Sequence, residues 1–210
     1  MPTAEGRVGL ETLAVGAVNE LRLDKTGATV TQLAHGQYLE AVLGGNCYKL
    51  VVTGAAATAF TGGAGGTPLC SIYNPTGSGK NASILAIGIA SRVAASAAGT
   101  AGFNLWGGVS AANTGTATVP VNMLTLQTGG SVVTGSSNAA TTSTSAVALV
   151  LPVASYYWAT AAGAFIAGSL FDVSGLVVCQ PGNLVAFGAT AALTSATYDI
   201  SMIWEEVLIS

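Results

Sequence analysis

The last strand-like segment of the chain has the clearest alternation of apolar and polar positions. Large side chains occupy every second position there: Tyr198, Ile200, Met202 and Trp204. A period of two is that of a β-strand, whose side chains point alternately to the two faces of a sheet. The pattern therefore predicts a final strand with these four residues on one face and Asp199, Ser201, Ile203 and Glu205 on the other.

Short apolar segments of the same kind recur along the chain from Leu21 onward. They are separated by roughly 8–12 residues with turn chemistry between them, which is typical of sandwiches and jelly rolls. Residues 21–30 are predicted to form two strands joined by a turn around 24–27. The other segments predicted to be extended are 37–43, 47–53, 69–73, 83–91, 101–109, 114–121, 147–151, 165–171, 176–179, 184–188 and 198–205. Two of the intervening segments, 74–79 and 180–183, combine Asn, Pro and Gly and predict tight hairpin turns. We expect an all-β fold, an antiparallel β-sandwich of jelly-roll type.

The pattern is weaker at the start of the chain and in one internal tract. Residues 1–20 are weakly patterned, and we expect an N-terminal arm there, followed by one sandwich domain over 21–210. Residues 127–146 are rich in Gly, Ser, Thr and Asn, which is typical of a long surface loop. The arm could strap onto a neighbouring molecule.

The composition of the chain favours a role in packing against other proteins over a role in catalysis. Half of the 210 residues are hydrophobic and 7% are charged, against about 25% in an average soluble domain. No charged residue occurs between Arg92 and Asp172. A surface of Ala, Ser, Thr, Gly and Asn suits a protein that partners cover, because an isolated monomer relies on surface charge to resist association. The formal net charge of −3 argues against a nucleic-acid partner bound through phosphates.

Membrane insertion and secretion are not expected either. The longest apolar runs, 84–98 and 146–170, are interrupted by polar residues or proline and fall short of the ~20 residues that a spanning helix needs. The first residues lack a basic region followed by an apolar stretch, so we expect no signal peptide. Cys47, Cys70 and Cys179 lie in apolar contexts and are predicted to be buried, reduced thiols, which fits assembly in a cytoplasm.

The groups that catalysis would need do not converge in the sequence. Lys80 follows Gly77-Ser-Gly79, but a phosphate-binding loop needs a Gly where Asn74 stands and a Ser or Thr where Asn81 stands. Lys80 is therefore expected to be a solvated lysine at a turn. His35 is the single histidine, and no nucleophile motif accompanies it. We expect no enzyme, no cofactor and no metal site.

The residues most suited to protein contacts form a separate set. Tyr156, Tyr157 and Trp158 make an aromatic cluster, which serves either as an interface anchor or as a platform for stacking sugars. Adjacent glutamates in a strand point to opposite faces, so Glu205 and Glu206 are poorly placed for paired acid–base work. They are expected either to form hydrogen bonds near the end of the final strand or to form an ion pair between subunits, with Arg7, Arg22 or Lys25 as candidate partners. The predicted interface residues are Arg7, Leu10, Leu13, Tyr156, Tyr157, Trp158, Trp204, Glu205 and Glu206.

Several turn and strand motifs occur together in an order that resembles a known group of proteins. They are Arg22-Leu-Asp-Lys-Thr-Gly27, Gly36-Gln-Tyr-Leu-Glu40, Tyr73-Asn-Pro-Thr-Gly-Ser-Gly-Lys80, Cys179-Gln-Pro-Gly-Asn183 and Met202-Ile-Trp-Glu-Glu-Val207. In this order they resemble small virion proteins of tailed bacteriophages. The resemblance implies a jelly-roll protein of the phage particle, and most concretely a capsid cement, or decoration, protein. Such proteins commonly form trimers on the outer shell, so the resemblance implies a homotrimer that binds the major capsid protein.

Two other functions remain open on the sequence. Gly- and Ser/Thr-rich β chains also suit a tail, baseplate or fibre component of the same particle. A carbohydrate-binding module that uses the region of Tyr156 to Trp158 is the alternative from a different class.

Overall fold

The computed structural model describes residues 38–62, 67–96, 98–109, 116–137, 147–158 and 168–209. Residues 1–39 and 40–210 are two compact units, and the description below is that of the second unit with Tyr38 and Leu39. The predicted arm over 1–20 and the predicted strands over 21–30 lie outside the described residues.

One short helix and eleven strands make up the described residues. In chain order they are α1 (Leu39–Leu43), β1 (Cys47–Ala56), β2 (Cys70–Asn74), β3 (Lys80–Val93), β4 (Gly99–Val109), β5 (Thr116–Thr118), β6 (Val121–Asn122), β7 (Thr134–Ser137), β8 (Ala148–Trp158), β9 (Ser169–Cys179), β10 (Asn183–Ala189) and β11 (Thr197–Leu208).

The strands form two antiparallel sheets that pack against each other, which confirms the predicted all-β sandwich. The five-stranded sheet has the order β6-β1-β11-β3-β9 and the six-stranded sheet the order β5-β7-β2-β10-β4-β8. The eight long strands pair in a nested way: β4 with β8, β3 with β9, β2 with β10 and β1 with β11. A hairpin rolled up in this manner is a jelly roll.

The final strand, β11, lies at the centre of the five-stranded sheet, between β1 and β3. The four residues predicted to share a face do so, and this face is the inner one, because Tyr198, Met202 and Trp204 have no exposed surface and Ile200 is 2% exposed. These side chains fill the main core between the sheets together with residues such as Phe103 and Phe187 from the opposite sheet. Phe103 contacts Tyr198 edge-on at 5.2 Å between ring centroids.

The structure corrects the extended conformation that was predicted for 37–43. Leu39–Leu43 form α1, which is followed by a turn in which Gly45 N donates to Val42 O. The sequence Leu-Glu-Ala-Val-Leu consists mostly of strong helix formers. Gly45 has a φ of 71°, a left-handed conformation of the kind that ends helices.

The long loop predicted for 127–146 is also partly wrong. Thr134–Ser137 form β7, which pairs with β2 and with β5 at the edge of the six-stranded sheet. Gly135 makes this possible, since a side chain there would collide with Leu50 and with the backbone of Thr118. A Gly- and Ser-rich strand has no alternation of apolar and polar residues, so the sequence pattern does not predict that it pairs with other strands.

The two predicted tight turns exist, but they are not hairpins between paired strands. The 75–79 turn connects β2 to β3 and the 180–182 turn connects β9 to β10, and each crosses from one sheet to the other. The buried Asn74 ties the two turns together, because its Nδ2 donates to Lys80 O and to Cys179 O at 2.8 Å each.

Candidate interaction surface

The two outer faces of the sandwich differ in how they are covered. The segment 57–62 lies over the outer face of the six-stranded sheet, where Phe60 N donates to Ala189 O at 2.7 Å. Phe60 packs there with Tyr73, Leu184 and Val147 in a second, smaller core. Its ring meets that of Trp106 edge-on at 5.8 Å. This face is therefore closed by the chain itself.

The outer face of the five-stranded sheet, called here the open face, has no comparable covering among the described residues. Across its middle the outward positions of neighbouring strands are Val51, Ser201, Gly88 and Leu170, as their register shows. Ser201 and Gly88 are small and leave a depression, while Val51 is 44% and Leu170 is 70% exposed. The result is an open groove of about 410 Å³ with Val51 and Leu170 as its walls.

The open face carries charged side chains at outward positions of its strands: Lys49, Arg92, Asp172, Asp199 and Glu205. Asp199 accepts from Gly54 N at 2.9 Å and lies 3.4 Å from the Arg92 guanidinium. Both side chains are about half exposed, so this ion pair contributes at most about 1 kcal/mol to folding. The open face thus holds a mostly apolar groove, with Asp199 in its lining and other charged side chains around it, which suits contact with another protein surface.

The predicted interface residues fall into different parts of the molecule. Arg7, Leu10 and Leu13 lie outside the described residues. Tyr156, Tyr157 and Trp158 form the end of β8, where they pair with Ala101, Thr100 and Gly99 of β4. β8 is the edge strand of its sheet, and only the backbone of these three residues is described.

Trp204 and Glu206 are interior residues, so the expected direct contact of these two side chains with a partner is corrected. Trp204 has no exposed surface and stacks on Tyr48 at 6.3 Å between ring centroids. Glu206 is 2% exposed. The reason is the parity of β11, which turns both residues toward the interior. Glu205 has the opposite parity and lies half-buried on the open face, opposite Cys47 and Ser83.

Glu206 has its ionic partner within the same subunit. Its carboxylate lies 3.2 Å from Lys80 Nζ, accepts from Val132 N at 3.0 Å and also accepts from the Ser131 hydroxyl. Lys80 is thus an ion-paired residue and not the solvated turn lysine that was expected. The candidate partners Arg7, Arg22 and Lys25 lie outside the described residues. The arrangement fixes the segment before β7 to the end of β11, which is a structural task.

The three cysteines are free and buried, as predicted. Burial raises the pKa of the Cys70 and Cys179 thiols to about 12. The pKa of Cys47 rises to about 11, mainly through burial and secondarily through the charge of Glu205. Thiolates are the reactive form of cysteine, so these side chains are inert at neutral pH.

The described part of the chain offers no metal centre and no spanning helix. No three His, Cys, Asp or Glu side chains lie together there in a way that would hold a metal ion. No helix in these ranges has the length and hydropathy to cross a membrane. His35 lies outside the described residues.

Comparison with known proteins assigns this chain to no family, so its fold and its surface are what bear on its function. The chain matches no family model, no curated protein and no solved structure.

Sequence reasoning missed the residues of the open groove. Leu170 and Val51 were assigned to strands, but nothing in the sequence placed them side by side. Their juxtaposition depends on β1, β11, β3 and β9 lying next to one another. The signal available was the run of small residues at outward positions, such as Gly88 and Ser201.

Proposed function

We propose that this chain is a structural protein of a tailed-bacteriophage particle and not an enzyme. Most concretely, it is a capsid cement protein that stabilises the head shell by binding between major capsid protein subunits. It acts as a homo-oligomer, a trimer, and is located in the virion after assembly in the host cytoplasm.

The open face is the observation that carries the proposal. One outer face of the sandwich is covered by Phe60 and its neighbours, whereas the other exposes Leu170 and Val51 on either side of Gly88 and Ser201. A sandwich of such low charge is better suited to a covered position than to free solution. A jelly roll hosts many functions, so the fold alone is compatible with the proposal but does not establish it.

The mechanism is burial of surface at several sites at once. A contact of about 800 Å² per partner supports a stable interface. A trimer that presents three open faces engages several capsid subunits simultaneously, so that avidity adds to the affinity of each contact. The Arg92–Asp199 pair at the margin of the open face then fixes orientation more than it adds affinity.

The location is tested on purified phage particles with gold-labelled antibody raised against the purified protein. Label on the head supports the proposal. Label on the tail or baseplate overturns the cement role and supports a role as a tail, baseplate or fibre component. Particles without label overturn the role as a virion protein.

The use of the open face is tested by co-sedimentation with shells of the major capsid protein that lack this chain. We expect Leu170→Asp to weaken binding at least tenfold, because a carboxylate in an apolar contact loses its hydration. Val109→Asp is the matched control, since Val109 is 64% exposed but lies at the end of β4 in the other sheet. If both variants lose binding equally, or if neither variant loses binding, the assignment of the open face as the capsid-binding surface is contradicted.

A further inference from the structure

The two sheets end in four edge strands, and an edge strand exposes backbone groups with which another chain can pair. Among the described residues, β6 and β9 are the edge strands of the five-stranded sheet, and β5 and β8 are those of the six-stranded sheet. Two of the four are very short, since β5 has 3 residues and β6 has 2. The other two, β8 and β9, have 11 residues each and are the long edges of the sandwich.

The long edges have almost no charged side chains. Charge, most often that of lysine, is the usual protection of an edge strand against pairing with another chain. β8 has no charged residue, and β9 has Asp172 alone. Large apolar side chains are exposed along both strands, among them Leu149 of β8 and Leu170 of β9. Long, uncharged and apolar edges of this kind pair with other chains unless something interrupts them.

β8 is interrupted at Pro152 and on either side of it. Pro152 pairs with Asn104 of β4, and the register skips Val153 before this pair and Val150 after it. A bulge bends the strand that carries it, and a proline is accommodated in a sheet where its nitrogen faces the free edge. An incoming strand therefore meets a bent edge that lacks a hydrogen-bond donor. By contrast, the inner strand β10 pairs with β2 and β4 without any shift of register.

β9 is interrupted by a larger bulge. Residues 173–176 stand opposite Leu85 of β3, where a regular pair has one residue on each strand. Within the bulge, Ser174 and Gly175 have φ values of 49° and 76°, which a regular strand does not allow. The carboxylate of Asp172 holds this conformation, because its Oδ1 accepts from Ser174 N at 2.9 Å and from Ser174 Oγ at 2.8 Å. The shifts between inner strands of this sheet skip one residue each.

We propose that Pro152 in β8 and the 173–176 bulge in β9 prevent copies of this chain from joining their sheets edge to edge. Backbone geometry thereby does what charged side chains do in other sheets. The longest stretch of regular register is 154–158 in β8 and 169–172 in β9. A second chain can therefore pair with only a few residues at a time, and an isolated strand pair of that size is weak.

The inference goes beyond the proposed function and does not rest on it, because it concerns the purified chain alone. It implies that copies of the chain meet through the faces or ends of the sandwich and not through continuous sheets.

The first test restores a regular residue to the edge of β8. Pro152→Val supplies an N–H and a side chain that favours strands. We expect the mass measured by light scattering to rise with concentration to at least about twice that of the wild type, because each copy gains a contact. Ser155→Val is the matched control, since Ser155 is an exposed residue of the same strand and Pro152 stays in place. Hydrogen exchange should show new protection of β8 amides in Pro152→Val alone.

A second substitution tests whether the proline does the work of a charge. Adding Leu149→Lys to Pro152→Val should return the mass to that of the wild type, because a lysine beside the edge opposes pairing. Leu149 is 48% exposed, so the ammonium stays in water. The proposal is overturned if Pro152→Val associates no more than the wild type or the Ser155→Val control. Association that Leu149→Lys leaves unchanged overturns it as well.

The bulge of β9 is tested by deleting Ser174 and Gly175. The deletion removes both left-handed residues and keeps the alternation of the strand, because two residues are lost. We expect this variant to associate as Pro152→Val does. Cooperative thermal unfolding at low concentration identifies the variants that fold, and if one of the two does not fold, the other decides. A folded deletion variant with the mass of the wild type overturns the role of the bulge. No capsid protein is present, so a failure of capsid binding leaves these results unchanged.

Discussion

Glu205 and Glu206 show how much a single step along a strand decides. The period of two places one carboxylate on the open face and the other inside, as their sequence positions predict. The sequence did not reveal the partner of Glu206, because Lys80 lies 126 residues away and the two meet only through the pairing of β3 with β11.

We expect the two glutamates to differ sharply when each is replaced by alanine. Glu206→Ala leaves the partly buried Lys80 ammonium, the Ser131 hydroxyl and Val132 N without their acceptor. Removing one partner of a buried pair costs about 3 kcal/mol of unfolding free energy. Glu205→Ala, at a half-buried position, should change it by less than about 0.5 kcal/mol. Urea denaturation of both variants is the measurement, and equal losses would contradict the interior role of Glu206.

Strand β10 is the element whose environment the sequence describes least completely. Its residues from Leu184 to Ala189 are all buried, because the main core lies on one face and the 57–62 segment on the other. A continuous apolar run predicts a strand covered on both faces. Nothing in the run says that Phe60, in a segment without strand pattern, supplies the second cover.

The packing of that segment on β10 depends on a glycine. A Cβ at Gly188 would lie 2.7 Å from Cδ1 and 2.8 Å from Cβ of Phe60. We expect Gly188→Ala to lower the unfolding free energy by about 1–3 kcal/mol, since the segment must move outward. Gly108→Ala in β4, where the nearest atoms are at 3.4 Å, is the control and should be nearly neutral. Thermal unfolding of the pair checks this, and a neutral Gly188→Ala would mean that the segment packs loosely.

At the scale of the whole molecule, the three buried thiols couple folding to alkaline pH. Their pKa values rise from 9.0 to about 11 for Cys47 and about 12 for Cys70 and Cys179 on folding. The folded state therefore keeps protons that the unfolded chain loses above pH 9. The stability that the protonated thiols contribute is fully present below pH 9 and is lost as pH rises toward 11–12.

The expected result is a fall in unfolding free energy between pH 9 and 10 of about 1 kcal/mol for each thiol that ionises only on unfolding, because a thiol of pKa 9.0 is half ionised at pH 9. Urea titrations at pH 8, 9 and 10 measure it. Cys70→Ala should reduce the slope by one thiol's share, whatever its effect at pH 8. If Cys70→Ala has the same slope of unfolding free energy against pH as the wild type, ionisation of the buried Cys70 thiol does not cause the alkaline destabilisation.

The sequence by itself determined the local features of this protein. Alternation determined which residues of β11 share a face, Pro and Gly determined the turns at 75–79 and 180–182, and the spacing of strands and turns indicated the sandwich. It also predicted that the cysteines are buried. These properties depend on a few neighbouring residues, and their physical causes, side-chain period and backbone freedom, are local.

Only the tertiary structure decided which strands meet and what they bring together. Turn chemistry specifies that the chain reverses, but not that β2 and β3 belong to different sheets. The nested pairing of the jelly roll places Lys80 against Glu206, Phe60 over β10 and Leu170 opposite Gly88. Each of these contacts joins distant segments, and its stability depends on many side chains packing at once. That cooperative packing is the physical reason why the open face could not be predicted from the sequence.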